Sequence, residues 1–406
     1  MVSSEVFSME PFDIHHLKRT LEAKLIWLEK TKDVSPNDKK LILGFYKDGV
    51  SRGLSTARNI KYLILLSQLS GMIKTGLKNA KKEKIKDIVV KIEQSKYSEW
   101  SKKDFKVAIK CFYKWLGGGE DYPDSVKWIK ASVRNAKHKL PEELLTEDEV
   151  KALSEQAEHP RDKAFVQMLY ESGCRIAELL TLRIRNVSFD DYGAILRVSG
   201  KTGDRRVRIV ASAPSLASWL DIHPKRNDSE CPLWLSRASR KILLPFNYST
   251  ANILLRRLAK KAGIKKRVNP HLFRHSRATA LANKLTEAQM KEYFGWTQSS
   301  EMASVYVHLS GRDVDSAILQ LHGLKNGQEK KEDSFRAKDC HRCKQPNSPT
   351  SKFCTKCGTV LQLEVALQIE NECKKGNDVL NELMKDNETR DFLARKLVAL
   401  NLSERL

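Results

Sequence analysis

The heptapeptide NPHLFRH, residues 269–275, is the strongest local signal in the sequence. Pro270 suits the first turn of a helix, where a missing N–H breaks no hydrogen bond. On that helix His271 and Arg274 are three residues apart and share one face. Arginine offers a two-armed donor to a phosphate and histidine can give or take a proton, so the pair suits a phosphodiester. Taken alone, the heptapeptide is explained better by a surface arginine beside a packed histidine.

Further candidate residues precede the heptapeptide. Arg175 begins the predicted helix RIAELLTL, and Glu178 follows one turn later. Residues 194–210, AILRVSGKTGDRRVRIV, predict two β-strands joined by a turn that contains glycine, with Lys201 at its tip. The apolar strand positions are Ile195, Val198, Val207 and Ile209.

Aromatic residues follow the heptapeptide. Trp296 ends the tripeptide FGW, and Tyr306 lies within SVYVHLSG. In order and spacing, the combined pattern from Arg175 to Tyr306 resembles the catalytic signature of the tyrosine recombinase (phage integrase) family. The resemblance is close over residues 145–312 and extends to the N-terminal helices only by architecture.

The resemblance implies an active site and a reaction. DNA strands would be cleaved and rejoined through a 3′-phosphotyrosyl link to Tyr306, without metal or ATP in the chemistry. The implied catalytic positions are Tyr306 as nucleophile, Arg175 and Arg274 as phosphate clamps, His271 beside them, Lys201 as proton donor to the leaving oxygen, and Trp296 at a position that holds His or Trp. Glu178 would support the first arginine, and His275 would be a structural member of the pocket.

Two points in the aromatic segment stay open. Trp296 and Tyr306 are ten residues apart, one more than in many family members, although archaeal-type members show a similar longer segment. The shape of the loop before Tyr306 is therefore uncertain from the sequence. Tyr293 is the rival tyrosine, but it precedes the Gly-Trp pair, where the family has no nucleophile, and we expect it in the core.

The charge of the chain favours a polyanionic partner. Lys and Arg number 73 against 50 Asp and Glu in 406 residues, a formal net charge of +23. Such an excess favours nucleic acid, with an anionic membrane surface as the competitor. No segment approaches the roughly 20 apolar residues that span a bilayer, and the N-terminus lacks a signal pattern. We expect a cytoplasmic, nucleoid-associated protein whose partner is double-stranded DNA.

Four of the eight cysteines form a compact motif. Cys340, Cys343, Cys354 and Cys357 form CxxC-x10-CxxC, the spacing of two knuckles that close a tetrahedral structural zinc site. His341 lies inside the first knuckle and is not expected to be a ligand. A closed site offers no position for a bound water, so we expect structural Zn²⁺ and no cofactor for catalysis. Whether the ribbon contacts DNA or protein is left open.

The predicted fold class is mainly α with a small antiparallel β-sheet. Thr146 and Glu149 fit a capping box at the start of the second domain. The predicted domains are a helical DNA core-binding domain (1–133), a linker (134–145), a mixed α/β catalytic domain (146–325), a tether (326–339), a zinc ribbon (340–360) and a helical tail (361–406). The lysine-rich helices of the first domain are a candidate DNA surface, or simply a solvated face.

The leading hypothesis is a site-specific DNA recombinase or integrase that acts as a tetramer on two DNA sites. The alternatives are a type IB topoisomerase, which uses a similar pocket, and a non-catalytic DNA-binding regulator with a zinc ribbon. A regulator would not need Tyr306 and both arginines together. The apolar face of the tail either contacts a partner or folds back on its own catalytic domain.

Overall fold

The structure is a computed structural model whose described residues form two compact units, one before and one after residue 140. The described residues are 13–73, 75–133, 141–200, 202–236, 244–282, 284–309, 322 and 335–399. Lys201 lies outside them, as do most of the predicted linker and part of the predicted tether. The described helices include none long and apolar enough to cross a membrane.

The N-terminal unit is built from helices joined by loops, and its described residues include no strand. Its elements are α1 (Leu17–Lys30), α2 (Pro36–Ser51), α3 (Thr56–Met72), α4 (Lys82–Gln94), α5 (Glu99–Leu116) and α6 (Asp124–Lys127). The Ser35 side chain accepts a hydrogen bond from the backbone N–H of Asp38 and caps α2, as its Ser-Pro start predicts. Phe45, Leu63 and Phe112 lie at the centre of the core.

The lysine-rich helices α4 and α5 are amphipathic, as their spacing predicts. The apolar residues Ile85, Ile88, Val89, Ile92 and Phe105 are buried. Trp100 departs from the expected pattern, because it is 60% exposed near the start of α5 with the Lys103 ammonium 5.2 Å from its ring centroid. A tryptophan in such a sequence pattern is expected on the buried face. Here it stays in solvent beside lysine.

The second unit contains a three-stranded antiparallel sheet with helices around it. Its helices are α7 (Glu147–Glu155), α8 (Pro160–Glu171), α9 (Ile176–Leu180), α10 (Ala213–Asp221), α11 (Tyr248–Lys261), α12 (Pro270–Ala282), α13 (Glu287–Phe294) and α14 (Met302–Leu309). Its strands, in spatial order, are β1 (Val187–Asp190), β2 (Gly193–Gly200) and β3 (Gly203–Ile209). Thr146 forms the predicted capping box at the start of α7.

The hairpin of β2 and β3 follows the period of two that strands impose on their side chains. Val198 faces Arg205 across the ladder, and Gly200 faces Gly203. Val198, Val207 and Ile209 are buried as predicted, whereas Ile195 is only half-buried. The sequence analysis did not identify β1, because the apolar and polar alternation of VSFD runs over only four residues, and the structure buries none of them.

The C-terminal segments complete the second unit. Two short strands, β4 (Lys338–Asp339) and β5 (Pro346–Asn347), pair antiparallel beside the cysteines. The tail forms α15 (Leu363–Lys385) and α16 (Asn387–Ala399). No residue of α15 is buried, so this helix does not fold back on the catalytic unit.

Candidate active site and metal centre

Arg175 and Glu178 are joined by the start of α9. Arg175 is the N-cap residue, and its backbone N–H donates to Oε2 of Glu178 at 2.8 Å. Its Nη1 donates to Oε1 at 2.8 Å, and its Nη2 donates to the carbonyl of Gly295 at 3.0 Å. Glu178 is buried, while the Arg175 side chain is 32% exposed. The pair therefore presents a partly exposed guanidinium on a buried carboxylate.

Arg205 on β3 is a third member that the sequence analysis missed. Its Nη1 and Nη2 donate to Oε1 and Oε2 of Glu178 at 3.0 and 2.8 Å. Burial alone would raise the pKa of Glu178, but the hydrogen bonds and charge of Arg205 and the hydrogen bonds of Arg175 lower it below its usual value. The sequence did indicate a buried position for Arg205, because alternate residues of a strand share a face and Arg205 alternates with the apolar residues Val207 and Ile209.

Arg274 on α12 is buried. Its Nη1 donates to the carbonyl of Gly173 at 2.8 Å and its Nη2 to the carbonyl of Phe294 at 2.7 Å. Burial, reinforced by the charge of Arg175, lowers the pKa of Arg274 to about 10. The guanidinium remains charged at neutral pH. The sequence places His271 one turn earlier on the same helix, and there its side chain is exposed.

Tyr306 on α14 is buried against Trp296 and His275. The rings of Tyr306 and Trp296 stack with centroids 5.5 Å apart and planes 4° from parallel. The Tyr306 hydroxyl forms a hydrogen bond with Nδ1 of His275, and it is the donor when the ring is neutral with its proton on Nε2. Burial raises the pKa of Tyr306 to about 12, although the charge of Arg274 opposes the shift. His275 thus contacts the predicted nucleophile directly.

The rival tyrosine is held elsewhere. The hydroxyl of Tyr293 donates to the backbone carbonyl of Glu171 at 2.6 Å. Burial raises the pKa of Tyr293 well above its usual range. The two tyrosines therefore differ in their partners, since Tyr306 contacts an imidazole and Tyr293 a carbonyl.

The four clustered cysteines form a candidate metal centre. Their sulfurs all lie within 4.8 Å of one another, with Cys340 and Cys357, and likewise Cys343 and Cys354, 3.6 Å apart. A tetrahedral zinc–thiolate site with bonds of about 2.3 Å has sulfur–sulfur edges of about 3.8 Å. Gly358 has the positive φ of 71° that the second knuckle turn requires. The donor set and its size therefore fit one zinc ion.

The cysteine module packs on α8 of the same unit. Nε2 of buried Gln167 lies within hydrogen-bond distance of the hydroxyls of Ser154, Ser348 and Thr350, at 2.7, 2.8 and 3.0 Å. The rings of Tyr170 and Phe335 meet edge to face at 5.1 Å. The sequence left the contacts of the module open. The structure shows that one of them is the catalytic unit itself.

Comparison with known proteins identifies the family. A model of the phage integrase family matches residues 143–312. A tyrosine recombinase of Thermosipho africanus is 32% identical over 220 residues, covering 53% of this chain and 73% of that protein. The tyrosine recombinase XerA of Pyrococcus furiosus is 28% identical over 224 residues, covering 54% and 73%.

The chain belongs to the phage integrase family. Tyrosine recombinases break and rejoin DNA, so this recombinase is an enzyme of that class. XerH bound to palindromic difH substrate shares its fold, with a TM-score of 0.52 at 18% identity over 76% of this chain and 96% of that chain. A lambda integrase tetramer bound to a Holliday junction gives 0.53 at 17% identity over 68% and 78%. These likenesses confirm the predicted fold class.

We expect Tyr306 of the DNA-free recombinase to lose its proton only near pH 12, because burial disfavours the phenolate. Tyrosinate absorbance after rapid pH jumps, read before alkaline unfolding, would be compared between the native protein and Tyr306→Phe. The difference between them reports Tyr306 alone. A difference already complete near the unperturbed value of about 10 would contradict the buried environment.

Proposed function

We propose that this recombinase cleaves one DNA strand at a specific site through Tyr306 and forms a 3′-phosphotyrosyl intermediate. The observation that carries the proposal is the Tyr306 hydroxyl, bonded to an imidazole and close enough to Arg274 for that charge to act on it. A neutral tyrosine is a weak nucleophile, so it needs a base and a positively charged surrounding. This pocket supplies both.

Each bond change in the proposed reaction has a residue to support it. The Tyr306 oxygen bonds to phosphorus and passes its proton to His275, and the bond to the 5′ oxygen breaks. Lys201 donates the proton that makes the free 5′-hydroxyl. Arg175, Arg274 and His271 take up the charge of the pentavalent transition state. The phosphotyrosyl link conserves the bond energy, so religation to a second strand needs no ATP.

Double-stranded DNA is the proposed partner. The charge of +23 and the lysine-lined helices α4 and α5 suit a polyphosphate backbone. The XerH and lambda integrase structures that share the fold contain a DNA substrate and a Holliday junction. The type IB topoisomerase alternative differs in outcome, because it relaxes one duplex without exchanging strands between two. A DNA-binding regulator would form no covalent adduct.

We expect Tyr306→Phe to abolish the covalent protein–DNA adduct on nicked DNA while leaving DNA affinity nearly unchanged, since only the hydroxyl is lost. Tyr293→Phe is the matched control, and it should keep forming adduct because its hydroxyl serves a backbone carbonyl. Denaturing gels score the adduct, and a two-duplex assay scores strand exchange. Adduct in Tyr306→Phe would move the nucleophile elsewhere. Adduct without exchange in the native protein would favour the topoisomerase.

The ribbon is proposed to hold one structural zinc ion on Cys340, Cys343, Cys354 and Cys357. Zinc would cross-link the two knuckles and so fix the loop that carries Ser348 and Thr350 against Gln167. Four protein sulfurs fill a tetrahedral ion, which leaves no position for a phosphate oxygen. The metal would therefore act on catalysis through the packing of α8.

Metal removal should destabilise the catalytic unit through Gln167. We expect a chelator to lower the urea midpoint of the full chain. We expect Gln167→Ala to lower the free energy of unfolding by about 1–3 kcal/mol, because three hydroxyls lose their buried partner. Combined, the two changes should cost less than their sum. Gln368→Ala on the exposed tail is the control and should leave the chelator effect intact. An unchanged midpoint with chelator would contradict the zinc site. Additive effects would contradict the proposal that the zinc acts on stability through the contact between Gln167 and the cysteine module.

The tail is proposed to join copies of the recombinase into its tetramer on two DNA sites. On α15, spacings of three and four residues alternate as in a coiled coil. The positions are Ala366, Ile369, Cys373, Gly376, Leu380 and Leu383. Residues 361–406 carry nine acidic and seven basic residues, so this segment lacks the positive charge that would direct it to DNA. A second copy of α15 is the partner that matches this repeat.

Two leucines of α15 test the assembly. Leu380 and Leu367 are each 51% exposed, but at 3.6 residues per turn they lie about 140° apart around the helix, which leaves Leu367 outside the apolar stripe. We expect Leu380→Glu to reduce self-association in sedimentation and cooperative binding to paired sites in gel shifts, because it puts a charge in the apolar stripe. Leu367→Glu should leave both unchanged. A chain ending at Leu361, which keeps the ribbon, should behave like Leu380→Glu. Equal behaviour of the two leucine variants would contradict pairing through the stripe.

A further inference from the structure

We infer that Arg205 is a positioning residue for strand cleavage: it holds Glu178 so that Arg175 presents its guanidinium to the phosphate. The inference rests on the proposed cleavage by Tyr306. Two arginines share one carboxylate here, but they are not equivalent. The Arg205 side chain is 9% exposed, and that of Arg175 is 32% exposed. Of the two, Arg175 is the one placed to reach a substrate.

The donors of Arg205 are directed into the protein. Nη1 and Nη2 bind the two oxygens of Glu178, and Nε donates to the carbonyl of Tyr293 at 3.0 Å. A guanidinium engaged along both of its edges is fixed in the plane of the carboxylate. Arg205 thereby links β3 to α9 and to the end of α13. It acts as a strut between three elements that meet at the pocket.

Two glycines leave room for this ion pair. A Cβ on Gly200 would lie 2.4 Å from Oε1 of Glu178, and a Cβ on Gly295 would lie 2.8 Å from Nη1 of Arg205. Gly295 also has a φ of 60°, which favours glycine. The backbone on both sides thus approaches the pair as closely as it can. Glu178 and Arg205 have little freedom to rearrange.

Gly295 provides a second connection between Arg205 and Arg175, in addition to Glu178. Its carbonyl accepts from Nη2 of Arg175 at 3.0 Å and from Oγ1 of Thr202 at 2.9 Å. Thr202 directly follows Lys201 in the hairpin turn. Because Arg205 packs against Gly295, it fixes the acceptor that orients Arg175 and anchors the turn next to Lys201. One buried side chain therefore affects two groups assigned to the reaction.

The charges around Glu178 also indicate that Arg205 supports the function of Arg175. A carboxylate shared by two arginines leaves a net positive charge for an incoming phosphate. Without Arg205, the buried carboxylate would depend on Arg175 alone and would hold that guanidinium more tightly. More of the charge of Arg175 would then be neutralised by Glu178, and its guanidinium would be less free to move toward the transition state. The loss would fall on the cleavage rate more than on DNA affinity.

The chain supplies a matched control for Arg205. Arg208 lies on the same strand and also binds one carboxylate with two bonds, to Oδ1 and Oδ2 of Asp190 at 2.8 Å each. That pair is exposed on the opposite face of β3. Arg208→Met therefore removes the same charge and the same kind of ion pair at a distance from Glu178.

The test measures adduct formation in single turnovers at saturating nicked DNA, with DNA affinity and thermal stability measured beside it. We expect Arg205→Met to slow adduct formation by roughly tenfold to a hundredfold, the scale of a misplaced catalytic group, with little change in affinity. Arg208→Met should stay within about threefold of the native rate. Adding Glu178→Gln to Arg205→Met should restore part of the rate, since the neutral amide releases Arg175.

The outcomes separate this inference from the proposed function. A native protein that forms no adduct overturns both. Native adduct formation with equal rates for the Arg205 and Arg208 variants overturns the positioning role alone, as does a double variant that is slower than Arg205→Met. If Arg205→Met does not fold, Arg205→Lys decides, because it keeps the charge but not the two-armed grip. A folded lysine variant that cleaves at the native rate also overturns the role.

Discussion

The buried carboxylate of Glu178 is the constraint on which the catalytic pocket depends. A carboxylate taken out of water must be paired and hydrogen-bonded, or its desolvation is uncompensated. Here the partners are Arg175 at the start of α9 and Arg205 on β3, and Arg175 in turn donates to the carbonyl of Gly295 after α13. The need to satisfy one charge thereby brings together elements distant in the chain. Removing that charge would leave two arginines facing each other, so the carboxylate is as necessary to the pocket as the arginines around it.

Local signals predicted much of the fold and the candidate site. Ser35 and Thr146 cap the helices that their spacing indicates, because a cap needs only residues a few positions apart. The role of Arg205 was missed, since its partner Glu178 is 27 residues away and β3 carries other arginines that face solvent. The contact between His275 and Tyr306 depends on how α12 and α14 pack, which no spacing in the sequence specifies. Lys201 lies outside the described residues, and its role stays a prediction.

The cysteine module shows a similar division between local and long-range information. Its knuckles follow from the CxxC spacing, and the sulfurs meet at distances that suit one ion. Its packing surface does not follow, although the single glutamine in the apolar run AFVQMLY of α8 was a sign that a polar partner would be needed. Gln167 meets that need with hydroxyls from both the unit and the module. Because α8 leads directly into Gly173, whose carbonyl holds Arg274, the module braces a helix that ends at the pocket.

The tail helix α15 has a consequence for how the protein behaves at different concentrations. Most helical stability in proteins comes from packing, and this 23-residue helix has no buried residue to draw on. Gly376 in its middle weakens it further. If the tail joins copies of the recombinase as proposed, its folding would be coupled to that encounter, and its helix content would rise with the number of copies present. Neighbouring chains bound side by side on DNA would reach a local concentration that dilute molecules never experience. Order in the tail would then report occupancy of the DNA, being gained on crowded DNA and lost on an isolated copy.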